Sequence, residues 1–162
     1  MRAFLKSFLY AFNGVALGVI NERNMRVHLT CLAYMAFFLL RYDFFQVTRT
    51  QAAILALAAA IVIVSEYINT AVERSVDTAS KGEISENARI AKDTAAGAVL
   101  IAALFSVVVG VIILFQPVAF KAMFAYFSAN PVSLVLFAIS LVIAAMFMFI
   151  PPKKYLKFLR RK

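Results

Sequence analysis

With one cysteine, one histidine and five glycines in 162 residues, the chain has few of the parts that common catalytic and metal sites are made from. Cys31 has no partner, so no disulfide or cysteine-metal role is implied, and it reads as a small packing residue. His28 alone cannot build a histidine zinc site or a Ser-His-Asp triad. Glycines stand only at 14, 18, 82, 97 and 110, so neither G-x-x-x-x-G-K-[ST] nor G-x-G-x-x-G occurs; H-R-D and D-F-G are also absent. Any nucleotide site must therefore be built from helix side chains. Acidic residues are scarce too, eight against seventeen Lys and Arg, for a net charge of +9. The basic residues sit at the ends of apolar runs and are not interleaved with aromatics in a soluble domain, which argues against nucleic acid as partner. Arg2 and Lys6 precede an apolar region, but Asn13 and Gly14 interrupt it and no A-x-A site follows, so a cleaved signal is not expected.

What the chain has is apolar length. It is 64% hydrophobic with a mean hydropathy of +0.86, a composition that predicts an all-α integral membrane protein of a few spans. Residues 2–20 read as an amphipathic surface helix, with Arg2, Lys6 and Asn13 on one side and Leu5, Phe8, Leu9, Phe12 and Val19 on the other. Gly14 and Gly18 make a GxxxG spacing that reads as simple packing. A polar hinge, Asn21 to Arg26, precedes a first span over Val27 to Leu40. A second span starts near Ala52 and runs to about Ser80, before an irregular polar loop from Lys81 to Asn87 with Gly82 as helix stop. A third helix covers Ala88 to Phe115, and Ala95, Ala96, Gly97 and Ala98 keep its beginning narrow enough for close approach. Residues 118–131 read as an interfacial connection, and Pro131 to Ile150 as a fourth span closed by Pro151 and Pro152. The tail, Lys153 to Lys162, is basic and amphipathic and suited to anionic lipid, at about 1 kcal/mol per basic residue near the surface. The expected division is a membrane domain over 1–117 and an extension over 118–162.

Every basic residue except Arg41, Arg49 and Lys121 falls on one side of this four-span arrangement, which predicts N-in, C-in topology. All acidic residues except Asp43 fall on that side as well. Acidic residues do not set topology, so their clustering has another cause.

That cause is the segment from Ser65 to Asp77. At 100° per residue, Glu66, Glu73 and Asp77 lie within about 20° of one line along the helix, flanked by Asn69 and Thr70. A carboxylate at a membrane edge costs a few kcal/mol, which marks the stripe as functional. Carboxylates beside a lysine at an inner membrane surface suit a magnesium-bound phosphate ligand, since Mg²⁺ is commonly held by one or two carboxylates plus substrate phosphates. Glu22 on the hinge and Glu73 on the stripe are the candidate metal ligands, and Lys92 the candidate phosphate cation. Glu66 sits higher, where it could accept the proton of a lipid hydroxyl as the γ-phosphate is attacked. Two other classes fit parts of the pattern. A small ion-coupled transporter would use Glu66 as a relay carboxylate, but it needs acids near the midplane and an outer half-path. An inactive scaffold would not need the full polar set.

Three blocks, Asn21-Glu22-x-Asn24-x-Arg26, Glu66-x-x-Asn69-Thr70-Ala71-Val72-Glu73-x-x-x-Asp77 and Ala91-Lys92-Asp93-x-Ala95-Ala96-Gly97-Ala98-Val99-Leu100, closely resemble the prokaryotic diacylglycerol kinase family, which includes undecaprenol kinases. The resemblance covers residues 1 to about 117. It implies a small homotrimeric kinase of the bacterial inner membrane, with three spans per subunit, an N-terminal surface helix, and composite cytoplasmic active sites that use MgATP without a P-loop. By position, Glu66 matches the catalytic base, and Glu22 and Glu73 match metal-holding glutamates that also contact nucleotide. Tyr10, Lys92 and Asp93 match nucleotide-contacting positions, Asn69 and Asp77 match polar residues lining the site, and Arg26 and Ala96 fall where the lipid is approached. The wording of the second and third blocks leans slightly towards the undecaprenol-using branch. The chain departs from the family in lacking a histidine between Lys81 and Asn87 and in adding the fourth span and basic tail, for which packing is the expected role.

Overall fold

The computed structural model describes residues 2–80, 83 and 85–150; the expected Gly82 stop, the Pro151-Pro152 closure and the basic tail lie outside the described residues. Six helices follow one another among them: α1 (Arg2–Asn21), α2 (Arg23–Arg41), α3 (Arg49–Ala79), α4 (Glu86–Leu114), α5 (Pro117–Ala129) and α6 (Pro131–Phe149). No strand occurs among the described residues, and the expected all-α membrane architecture is what forms.

Local chemistry sets the boundaries. Thr48 caps α3 and closes a capping box with Gln51, each side chain bonding the other's backbone N–H, an arrangement worth about 1 kcal/mol. This starts the helix at Arg49, three residues before the apolar run, so that α3 extends over 31 residues and carries the whole acidic stripe. Ser85 caps α4 by accepting from Ala88 N. Pro117 and Pro131 sit at the first turns of α5 and α6, where a proline's fixed φ and missing N–H cost nothing.

Two expectations are corrected. The hinge of six residues contracts to the single extended residue Glu22 (φ −97°, ψ 118°), because Glu22 N donates to Gly18 O and Arg26 N to Glu22 O across the break. Residues 118–131 are mostly helix, α5, since nothing between Pro117 and Asn130 breaks one.

By length and hydropathy alone, the helices able to cross a membrane are Phe4–Asn21, α3, α4 and α6. Arg23, Arg26, His28 and Arg41 keep α2 off that set. Packing discriminates better. α2 lies against both α3 and α6, whereas α1 meets α3 near the polar end, where Tyr67 Oη donates to Val15 O at 2.8 Å. There Gly18 makes room: a Cβ at this position would overlap the Tyr67 ring and force it to shift, while Gly14 faces open space. Side by side, α2, α3, α4 and α6 pack into one bundle, with α1 along its edge against α2. α3 packs most extensively on α4, and side chains such as Leu57, Ile61, Leu104, Val107, Leu136 and Ile143 remain exposed around the bundle. An apolar exterior of this extent suits lipid as the surrounding solvent.

Candidate functional site

The polar edge of α3 meets two cavities at the end of the bundle away from the α2–α3 loop. One, about 450 Å³, is lined by Arg23, Asn24, Val27 and His28 of α2, Glu66 and Asn69 of α3, Ala96, Val99, Leu100 and Ala103 of α4, and Phe149 of α6. Its walls are mainly apolar. Its polar pole is unusual: Glu66 is 3% exposed, and Glu66 Oε1 and Asn69 Oδ1 are the buried side-chain polar atoms without a hydrogen-bond partner among the described residues. His28 Nε2 approaches Glu66 Oε1 to 3.4 Å, without the alignment of a hydrogen bond. The Asn69 amide is oriented by its other end, Nδ2 donating to Glu73 Oε1 at 2.9 Å, which leaves the carbonyl free. An unmet buried acceptor costs about 1–3 kcal/mol, so a ligand O–H placed there removes a standing penalty.

The second cavity, about 350 Å³, lies further along α3 and is lined by Val76, Asp77, Ser80, Glu83, Ala88, Arg89, Lys92 and Asp93. Lys92 Nζ donates to Asp77 Oδ1 at 2.8 Å, and Arg89 pairs with Asp93 at 3.5 Å one turn along α4. Lys92 belongs to the polar first turns of α4, ahead of its apolar run. The hydrogen bond to Asp77, with the charges of Asp77 and Glu73, holds its ammonium above the usual lysine range.

The predicted residues thus divide. Glu66, Asn69 and Ala96 surround the first cavity, and Asp77, Lys92 and Asp93 the second. Glu73 lies between them along α3 and is tied to Asn69; Glu22 faces Arg74 at 3.7 Å. Tyr10 is exposed on α1 and lines neither cavity. Arg26 is buried, its guanidinium committed to the carbonyls of Val19, Ile20 and Met148, so its place is between helices. No group of three His, Cys, Asp or Glu side chains able to hold a metal forms within the chain among the described residues. Sequence reasoning passed over His28, Arg23 and Phe149. The first two could have been found, since residues 23, 24, 27 and 28 recur at helical spacing on one face of α2.

The family model for prokaryotic diacylglycerol kinase matches residues 9–114, the stretch that carries both cavities apart from Phe149. The chain belongs to the prokaryotic diacylglycerol kinase family. A protein of Synechocystis sp. named diacylglycerol kinase is 42% identical over 115 residues, covering 70% of this chain; the match spans 63% of that relative's length. No solved structure matches the chain significantly. The family match ends with α4, leaving α5 and α6 as an addition to the family's shared part.

Proposed function

We propose that the protein is an ATP- and Mg²⁺-dependent lipid kinase that phosphorylates the hydroxyl of a membrane lipid alcohol, diacylglycerol or undecaprenol. It works at the cytoplasmic face of the bacterial inner membrane, N-in and C-in, as a homotrimer. The observation that carries this reading is the polar pole of the first cavity, two buried oxygens that lack donors among the described residues, at the end of an apolar-walled space. A lipid alcohol has the matching parts, an O–H for the pole and a hydrocarbon stem for the walls.

In this mechanism Asn69 Oδ1 and Glu66 orient the hydroxyl, and Glu66 accepts its proton as the hydroxyl oxygen attacks the γ-phosphorus of ATP. The new O–P bond forms while the bond to the bridging oxygen breaks, and ADP departs. General-base assistance accounts for about 10² to 10⁴ in rate; positioning and charge stabilisation supply the remainder. Lys92 meets the phosphates from the second cavity, with Asp93 and Asp77 lining the same space, and Tyr10 belongs to the nucleotide side through the family resemblance.

The donor set fits Mg²⁺: Glu22 and Glu73 offer hard oxygen ligands, and an ion held by one or two carboxylates needs no three-residue protein cluster. These two residues would hold it, and when bound it neutralises charge on the transferring phosphate. Glu73 is already oriented by Asn69, which links the metal side to the acceptor side.

The test is transfer from γ-labelled ATP in mixed micelles, with diacylglycerol and undecaprenol offered together and separately. Label should enter at least one lipid and should cease when Mg²⁺ is chelated. A folded protein that labels neither lipid overturns the proposal.

A further inference from the structure

The helix outside the family match reaches into the acceptor cavity. Phe149, the last residue of α6, lines it together with Glu66 and Asn69, and among the described residues supplies its one phenyl ring. Its position is held by the buried Arg26, whose Nε and Nη2 donate to Met148 O at 3.4 and 3.3 Å. The same guanidinium donates through Nη1 to Val19 O and Ile20 O at 3.2 and 3.0 Å, so one cation fixes the ends of α1 and α6 against the turn of α2 that bears Arg23, Asn24 and His28. Further along, Tyr34 Oη and Ser140 Oγ are 2.9 Å apart, and Phe137 packs on Phe38, Tyr34 and Phe127. α6 is seated along α2, which sets where the backbone of Phe149 stands.

From α4 the cavity receives mostly modest side chains, Ala96, Val99, Leu100 and Ala103. Phe149 is therefore the bulkiest apolar contributor among the described residues, and at 63% exposed it stands at the rim. A lipid alcohol that enters over this rim and sets its O–H at Glu66 and Asn69 brings its first carbons past the Phe149 ring.

We infer that Phe149 is a specificity-determining residue of the acceptor site: its ring lies against the carbons next to the reacting hydroxyl and screens acceptors by their bulk there. The added helix α6 is then a wall of the site as well as a packing element. This inference rests on the lipid-kinase reading above.

The test compares an acceptor with bulk on the neighbouring carbon, diacylglycerol, with a linear long-chain primary alcohol, using the full chain in mixed micelles. In Phe149→Ala the ratio of kcat/KM for diacylglycerol over the linear alcohol should rise about threefold or more, with the KM for ATP unchanged. Phe149→Leu, which keeps an apolar side chain of intermediate size, should lie between. A ratio within about twofold of the parent in a folded Phe149→Ala protein overturns the inference. A readout independent of turnover separates its failure from that of the kinase reading. A long-chain alcohol carrying a diazirine beside its hydroxyl should photolabel Phe149 in the unsubstituted protein, even if no lipid is phosphorylated. Labelling of α4 with none at Phe149 overturns it.

Discussion

At the end of the bundle where α2 meets α3, rings and reciprocal bonds gather around a wholly apolar cavity of about 230 Å³. Tyr42 stacks on Phe44 at 4.8 Å and meets Tyr126 and Phe127, while Phe45 packs edge-on to Phe120. Gln116 closes this end, accepting from Gln46 N at 3.0 Å and donating to Gln46 O at 3.1 Å. At the other end two buried oxygens lack donors among the described residues, and two cavities stand beside charged groups. One end meets its own polar needs; the other leaves them for a ligand. On the proposed reading the difference separates residues that hold the bundle from residues that serve a substrate, and aromatic residues gathered at one end suit a membrane–water boundary.

Substitutions should divide along the same line. The largest effect expected is from Glu73→Gln or Glu22→Gln, each lowering kcat about a hundredfold or more in the labelled-ATP assay, with helicity by circular dichroism unchanged. Lys92→Met should raise the KM for ATP about tenfold, the value of one charge-assisted hydrogen bond, and leave the KM for lipid alone. Its pH dependence has a definite sign. A lysine held above 10.5 keeps its charge throughout the neutral range, so its grip on phosphate weakens only as pH rises through that raised value. A KM for ATP that climbs between pH 6 and 9 in the parent but not in Lys92→Met would contradict this. His28→Gln, which removes the imidazole beside Glu66, should lower kcat/KM for the lipid about three- to tenfold. The smallest effect belongs to the closed end. Gln116→Ala should cost about 1 kcal/mol in thermal or denaturant unfolding and leave kinase kinetics as they were.

The acidic stripe was legible because helical periodicity needs only sequence spacing, and α3 runs unbroken through it. The same rule could have added the face of α2 that carries Arg23, Asn24 and His28. Other features depend on partners distant in the chain. By resemblance Arg26 falls where the lipid is approached, and its guanidinium finds its acceptors on backbone carbonyls, one of them 122 residues away. Phe149 is one apolar residue among many in α6, and only the packing of that helix along α2 brings it to the cavity. The helicity of α5 was missed because its aromatic and small residues have no strong period, while its limits, Pro117 and Asn130, were visible.

In the proposed mechanism Glu66 is the group that takes the acceptor's proton. The most direct test is steady-state kinetics of Glu66→Gln, a near-isosteric change that keeps the side chain in place but removes its basicity. The expected result is a fall of about a hundredfold or more in kcat, with the KM values for ATP and lipid little changed. A folded Glu66→Gln protein that turns over at the parent rate would contradict it.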